Sequence, residues 1–150
     1  MKYKVLIKEY KDSDKAEVVN LLKLNTPSYF STEEEKDLIY YLDNEIEKYY
    51  VIEIDNQIVG SGGINFENDK TTGIISWDIL HPKFQKKKIG TLLLKYRIGV
   101  LSSIESIKTI TVRTTQLTYE FYQKNGFELK EVEKDYWAEG FDLYKMEYKK

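Results

Sequence analysis

Residues 73–107 read GIISWDILHPKFQKKKIGTLLLKYRIGVLSSIESI, and the reading of this stretch decides the fold. It begins as a β-rich apolar run, turns at His81-Pro82, crosses a basic loop at Lys86-Lys87-Lys88, and continues as an amphipathic helix. Ile89, Leu93, Tyr96, Val100 and Ile107 recur at helical spacing, and Leu94, Ile98 and Leu101 widen the stripe. A strand–loop–helix unit of this kind aims the free N–H groups of the first helical turn at whatever lies over the loop. The partial positive charge of the helix start makes that place an anion site. Three lysines add to it, so the expected guest is a phosphate or pyrophosphate. The loop KKKIGT lacks the G-x-x-x-x-G-K-[ST] spacing of a nucleotide-hydrolase phosphate loop.

Composition narrows the classes. A chain of 150 residues, 41% hydrophobic, is enough for one domain with a full core, here taken as 1–150. A net charge of -2 argues against general nucleic-acid binding, which needs a broad basic excess. Without cysteine there is no disulfide, thiolate nucleophile or Cys-based metal site. One histidine, His81, makes a His-rich metal centre or a Ser-His triad improbable, and no metal is expected. The first continuous apolar run, Val5-Leu6-Ile7, is too short for a signal sequence or a membrane span. The expectation is a cytoplasmic protein, without nucleic-acid or membrane partners, acting as monomer or homodimer.

The remaining elements follow from periodicity and stop signals. Lys2 to Tyr10 is read as a strand, and Asp12 or Ser13 as the cap of a helix that stops near Pro27. Ser31 or Thr32 begins a second helix reaching about Glu47, with Thr32 and Glu35 at capping-box spacing. Its acids Glu33-Glu34-Glu35 either complement the helix dipole or offer a cationic amine an acidic edge. Tyr49 to Ile54 and Gln57 to Phe66 form a hairpin turning at Asp55-Asn56. Gly60, Gly62 and Gly63 inside its second strand mark a bulge or a close backbone approach. After the long helix, Lys108 to Arg113 reads as a buried strand, and Thr114 or Thr115 caps a short helix ending at Asn125-Gly126. Phe127 to Val132 and Phe141 to Tyr148 are the last strands, around a Tyr136-Trp137 loop.

Gln85-Lys86-Lys87-Lys88-Ile89-Gly90 resembles the Q/R-x-x-G-x-G/A signature of the GCN5-related N-acetyltransferases (GNAT), and His81-Pro82 and FYQKNGF at 121–127 fit the same family. The resemblance covers nearly the whole chain. It implies a mixed-sheet α/β fold, an acyl-CoA N-acyltransferase of order β-α-α-β-β-β-α-β-α-β-β. It also implies acetyl-CoA as cosubstrate, with the pyrophosphate held by Gln85, Lys86, Lys87, Lys88, Ile89, Gly90 and Thr91. Asp78, Ile79 and Leu80 would lie along the pantetheine arm, where a backbone N–H faces the thioester oxygen. Thr115 stands where relatives often carry an asparagine bonded to that arm. Lys88 replaces the usual first glycine, so the expectation is that this position needs no glycine-type backbone.

Acetyl transfer to an amine needs a neutral nucleophile, a polarised carbonyl and a proton for the departing thiolate. The resemblance makes Tyr122 the acid, and a phenol of pKa about 10 is protonated at neutral pH. With 13 tyrosines in the chain, a packing role is the alternative. The base is less defined. The places where relatives carry a glutamate fall near Ile74 and Ile110, both apolar. Asp78, an acid among Trp77, Ile79 and Leu80, is the candidate on the central strand; a water relay, Glu33 or His81 would serve instead. Two functions follow: an N-acetyltransferase for a small-molecule or peptide amine, or a non-catalytic CoA-binding or interaction module of the same fold.

Overall fold

The apolar run at the start of residues 73–107 becomes the central strand of a seven-stranded mixed sheet. A computed structural model describes residues 4–85 and 88–149. The strands are β1 (Val5–Glu9), β2 (Lys48–Ile54), β3 (Gln57–Glu67), β4 (Thr72–Leu80), β5 (Thr109–Thr114), β6 (Phe127–Ala138) and β7 (Phe141–Tyr148). The helices are α1 (Lys15–Leu24), α2 (Glu34–Asn44), α3 (Ile89–Ser102) and α4 (Tyr119–Lys124), so the order follows the expected one. In space the strands run β1-β2-β3-β4-β5-β7-β6. Among the described residues only β4 and β5 pair in parallel. None of the helices among the described residues is long and apolar enough to cross a membrane.

Each face of the sheet carries its own core. Val18, Leu21, Leu22 and Leu38 of α1 and α2 pack on Val51 and Ile79. On the other face Ile89, Leu93, Leu94 and Leu101 of α3 pack on Ile52, Ile64 and Ile110. Each fully buried leucine or isoleucine contributes about 1.5–3 kcal/mol of transfer free energy. The Asp55-Asn56 turn has φ of 51° and 63° at its two residues, the conformation that matches the twist of a two-residue hairpin.

Two features of the sheet position the site. First, β4 and β5 pair only from Thr72↔Thr109 to Ile75↔Val112. Beyond that point β4 stays on β3 while β5 continues on β7, which opens the ladder between them. Second, β4 carries a bulge. The pairs Gly63↔Ser76 and Ser61↔Ile79 leave Gly62 facing both Trp77 and Asp78. Trp77 has φ 49°, a costly conformation for a bulky residue. Its surroundings hold it there: the Tyr49 hydroxyl donates to the Trp77 carbonyl at 2.9 Å, and the indole stacks on Phe30 and tilts against Tyr41.

Several boundaries differ from expectation. Helix α2 begins at Glu34, and the reciprocal cap joins Ser31 to Glu34 rather than Thr32 to Glu35: the Ser31 N–H donates to Glu34 Oε2 at 2.8 Å, and the Glu34 N–H donates to the Ser31 carbonyl. Tyr136-Trp137 lies inside β6, not in a loop. Asp135, at φ 54°, kinks that strand without ending it, and the reversal falls at Glu139-Gly140. Helix α4 starts at Tyr119, four residues after Thr115. Helix α3 ends at Ser102, so Ile107 is buried from a loop. Tyr96 is 45% exposed, whereas Arg97 is 1% exposed. The inward row of α3 is therefore Ile89, Leu93, Arg97 and Leu101.

Candidate active site

The bulge determines which side of the sheet Asp78 faces. Side chains alternate along a strand, and Gly73 and Ile75 lie against α3. In a regular strand of the same residues Asp78 would face α1 and α2. With the bulge, Trp77 packs in the α1–α2 core and Asp78 meets α3 and α4. There the Tyr122 hydroxyl donates to Asp78 Oδ2 at 2.5 Å. Arg97 Nη1 lies 2.5 Å from Asp78 Oδ1 as an ion pair not aligned as a hydrogen bond. The guanidinium is completed by hydrogen bonds from Nη1 to the Gly63 carbonyl at 3.0 Å and from Nε to the Leu93 carbonyl at 3.2 Å.

Burial pushes the Tyr122 phenol well above its ordinary value of 10.0; the Asp78 charge and hydrogen bond push the same way, and Arg97 opposes them. The group is thus a stable proton holder. Tyr41 and Tyr49 are likewise held neutral, chiefly by burial. Gly62 explains itself here: a Cβ on it would collide with Asp78 Oδ1 and lie 2.8 Å from Arg97 Nη1. Of the two meanings of the β3 glycines, close approach applies at this position.

The start of α3 lies beside this group. A Cβ on Gly90 would stand 3.5 Å from Phe121 and 3.6 Å from Leu80, so the first turn of α3, the start of α4 and the end of β4 converge. The first bond within α3 runs from the Leu92 N–H to the Lys88 carbonyl. The N–H groups of Ile89, Gly90 and Thr91 therefore precede the helical ladder. No described side chain caps them. An uncapped first turn with no side chain at Gly90 fits a diphosphate. Lys86 and Lys87 lie outside the described residues.

Lys88 corrects an expectation. Its backbone is left-handed, φ 63° and ψ 9°, so this position does take the conformation that glycine adopts without penalty. A non-glycine residue there costs about 1–2 kcal/mol, offset in part by the chain entropy that glycine loses on folding. Lys88→Gly is expected to raise stability by roughly 0.5–1 kcal/mol, read as a higher denaturation midpoint at unchanged slope. A lower midpoint would contradict the backbone argument.

The other expected residues have different partners. Ile79 is buried and paired with Ser61. Gln85 turns inward: its Nε2 donates to Asn25 Oδ1 at 3.1 Å and approaches the Leu80 carbonyl at 3.5 Å. Asn25, 3% exposed, donates from Nδ2 to the Leu21 and Leu80 carbonyls. This amide pair ties the end of α1 to the loop before α3. Thr115 Oγ1 accepts from the Leu117 N–H, a turn contact. His81 Nδ1 accepts from the Lys83 N–H and caps the turn at Pro82–Phe84. Ile110 is fully buried. Arg97 and Gly62 are the members of the site that the sequence reading did not assign.

The chain is thus an α/β protein whose mixed sheet parts, at its parallel pair, beside a helix start that no described side chain caps. Residues 45–129 match the family described as "Acetyltransferase (GNAT) domain", and the chain belongs to that family. Among solved structures, a GNAT-family protein from Desulfovibrio desulfuricans superposes with a TM-score of 0.81 at 16% identity, covering 97% of this chain and 99% of that one. An aminoglycoside 6'-N-acetyltransferase complexed with coenzyme A gives 0.77 at 17% identity, covering 95% of both chains. N-acetylglutamate synthase from Neisseria gonorrhoeae, complexed with coenzyme A and N-acetyl-glutamate, gives 0.75 at 20% identity over 99% of this chain and 35% of that one. No curated protein matches the sequence. Membership of the family carries acetyl transfer from acetyl-CoA as the general chemistry.

Proposed function

We propose that the chain, acting as one domain over 1–150, transfers the acetyl group of acetyl-CoA to a primary amine of a small molecule or peptide by direct attack in a ternary complex. The observation carrying this reading is the contact between Tyr122 and Asp78, 44 residues apart in sequence and 2.5 Å apart beside the parted strands. Coenzyme-A complexes of proteins sharing the fold support the cosubstrate. A spermidine N-acetyltransferase chimera shares it too, at 14% identity and a TM-score of 0.73, which supports an amine acceptor.

Bound acetyl-CoA supplies an acyl carbon with a thiolate as leaving group. The first-turn N–H groups of Ile89, Gly90 and Thr91 hold its diphosphate, with Lys88 adding charge. Asp78 takes the proton that the attacking nitrogen sheds as the new C–N bond forms. Tyr122 delivers its proton to the sulfur as the C–S bond breaks. The hydrogen bond between them then returns the proton from Asp78 to the phenolate, so both groups recover their starting states. No covalent enzyme intermediate is needed.

The test is release of free CoA against a panel of primary amines, polyamines and peptide N-termini. Asp78→Asn is expected to lower kcat by about 10²-fold or more while acetyl-CoA affinity stays near wild type. Full activity in that variant across pH would remove Asp78 from the chemistry. Tight acetyl-CoA binding with no amine accepted would favour a non-catalytic CoA-binding module.

A further inference from the structure

We propose that Arg97 is a positioning residue for acetyl transfer, its guanidinium fixing the Asp78 carboxylate with Oδ2 turned to the Tyr122 hydroxyl. The inference rests on the acid–base reading of Asp78 and Tyr122. Arg97 occupies a helix position that packing alone would fill differently. Its inward row, Ile89, Leu93 and Leu101, is apolar and buried. Taking a guanidinium out of water carries a penalty of several kcal/mol, and an apolar side chain of similar volume often leaves a protein equally or more stable. A buried arginine in such a row therefore calls for more than packing.

Its contacts supply the purpose. Nε is anchored to the Leu93 carbonyl in its own helix, and Nη1 to the Gly63 carbonyl in β3. With both ends of the planar group tied down, Nη1 presents a fixed positive charge to Asp78 Oδ1. The carboxylate is then constrained from two sides, by Arg97 and by Tyr122. Gly62 contributes the space, because any side chain there would occupy the volume between Asp78 and Arg97. Asp78 is the more accessible partner, with 22% of its side chain exposed against 1% for Arg97. The charge sits behind the carboxylate, on the side away from solvent.

The groups facing Asp78 are Arg97 from α3 and Tyr122 from α4; Tyr49 of β2 lies within electrostatic reach of Asp78, and Tyr41 and Tyr50 within reach of Arg97. Arg97 is the cation of this set. Removing it leaves a carboxylate among neutral phenols, where its charged form is disfavoured.

The experiment measures the pH dependence of kcat/KM by CoA release for Arg97→Gln, Arg97→Lys and Asp78→Asn, with acetyl-CoA affinity by calorimetry and melting temperature alongside. Arg97→Gln is expected to move the acid limb upward, to lower kcat at neutral pH, and to leave acetyl-CoA affinity near wild type. Arg97→Lys keeps the charge but not the planar fork, so its acid limb should stay near wild type while kcat falls by roughly tenfold. An Arg97→Gln variant with an unmoved acid limb, or an Arg97→Lys variant with full kcat, overturns the proposal. Should Arg97→Gln fail to fold, the Lys variant decides alone by its kcat. The Asp78→Asn arm separates the two readings. Full activity there sinks the acid–base assignment itself; loss of activity there with an unmoved Arg97→Gln limb sinks only the role of Arg97.

Discussion

Tyr122→Phe is expected to lower kcat by roughly 10²–10⁴-fold, toward the smaller end, with acetyl-CoA affinity nearly unchanged. The ring stays, and with it the edge contacts to Phe121 and Phe127 at centroid distances of 5.0 and 5.7 Å. Only the hydroxyl is lost, and with it the donor to Asp78 Oδ2. A thiolate leaves without full protonation at some rate, which sets the smaller end of the range. Leaving the carboxylate oxygen without its donor also costs about 1–3 kcal/mol of stability, so melting should be followed in parallel. The phenol is raised well above 10.0, so the wild type should show no alkaline limb from this residue below about pH 10. Equal CoA release by wild type and variant, at the same pH and amine, would make Tyr122 a packing residue.

The second large effect concerns the start of α3. Gly90→Glu should abolish measurable acetyl-CoA binding while the protein still folds. The fold survives because the added Cβ finds only ordinary contacts, 3.5 Å to Phe121 and 3.6 Å to Leu80. Binding fails because a carboxylate in the first turn competes for the N–H groups that a diphosphate needs, and repels it. Like charges brought together this way cost several kcal/mol, a loss of more than about 100-fold in affinity. Gly90→Ala, by contrast, should bind within about tenfold of wild type, since it adds bulk without charge. Unaltered affinity of the Glu variant by calorimetry would move the anion site away from α3.

The elements were legible in the sequence where local chemistry decides them. The hairpin at Asp55-Asn56 has the two left-handed residues that its turn type demands. The strand, the His-Pro turn and the helix follow in the order that periodicity and stop signals indicate. What escaped was set by partners far along the chain. Tyr96 was chosen for the inward face of α3 because it is apolar, yet Arg97 takes that face because Gly63, 34 residues earlier, and Asp78 accept its charge. A row of every fourth residue, 89, 93, 97 and 101, with one arginine among apolar neighbours was the available signal. The left-handed backbone of Lys88 was hidden because lysine carries no mark of the conformation it is forced into. The β4 bulge was hidden for a similar reason: its left-handed residue is Trp77, not a glycine.

That bulge makes the path of the backbone, rather than residue identity, a constrained quantity in this protein. On either side of Trp77 the strand addresses the two cores with opposite parity, odd positions toward α3 before it and even positions after it. Conservative exchanges at Ile75 or Ile79 perturb one core at a time. Straightening the bulge at unchanged strand length would instead turn Asp78 toward α1 and α2, separating it from both Arg97 and Tyr122 without altering any of the three side chains. A relative of this chain can therefore keep every residue of the constellation and still lack it, and whether its strand bulges between Ile75 and Asp78 is what tells the two apart.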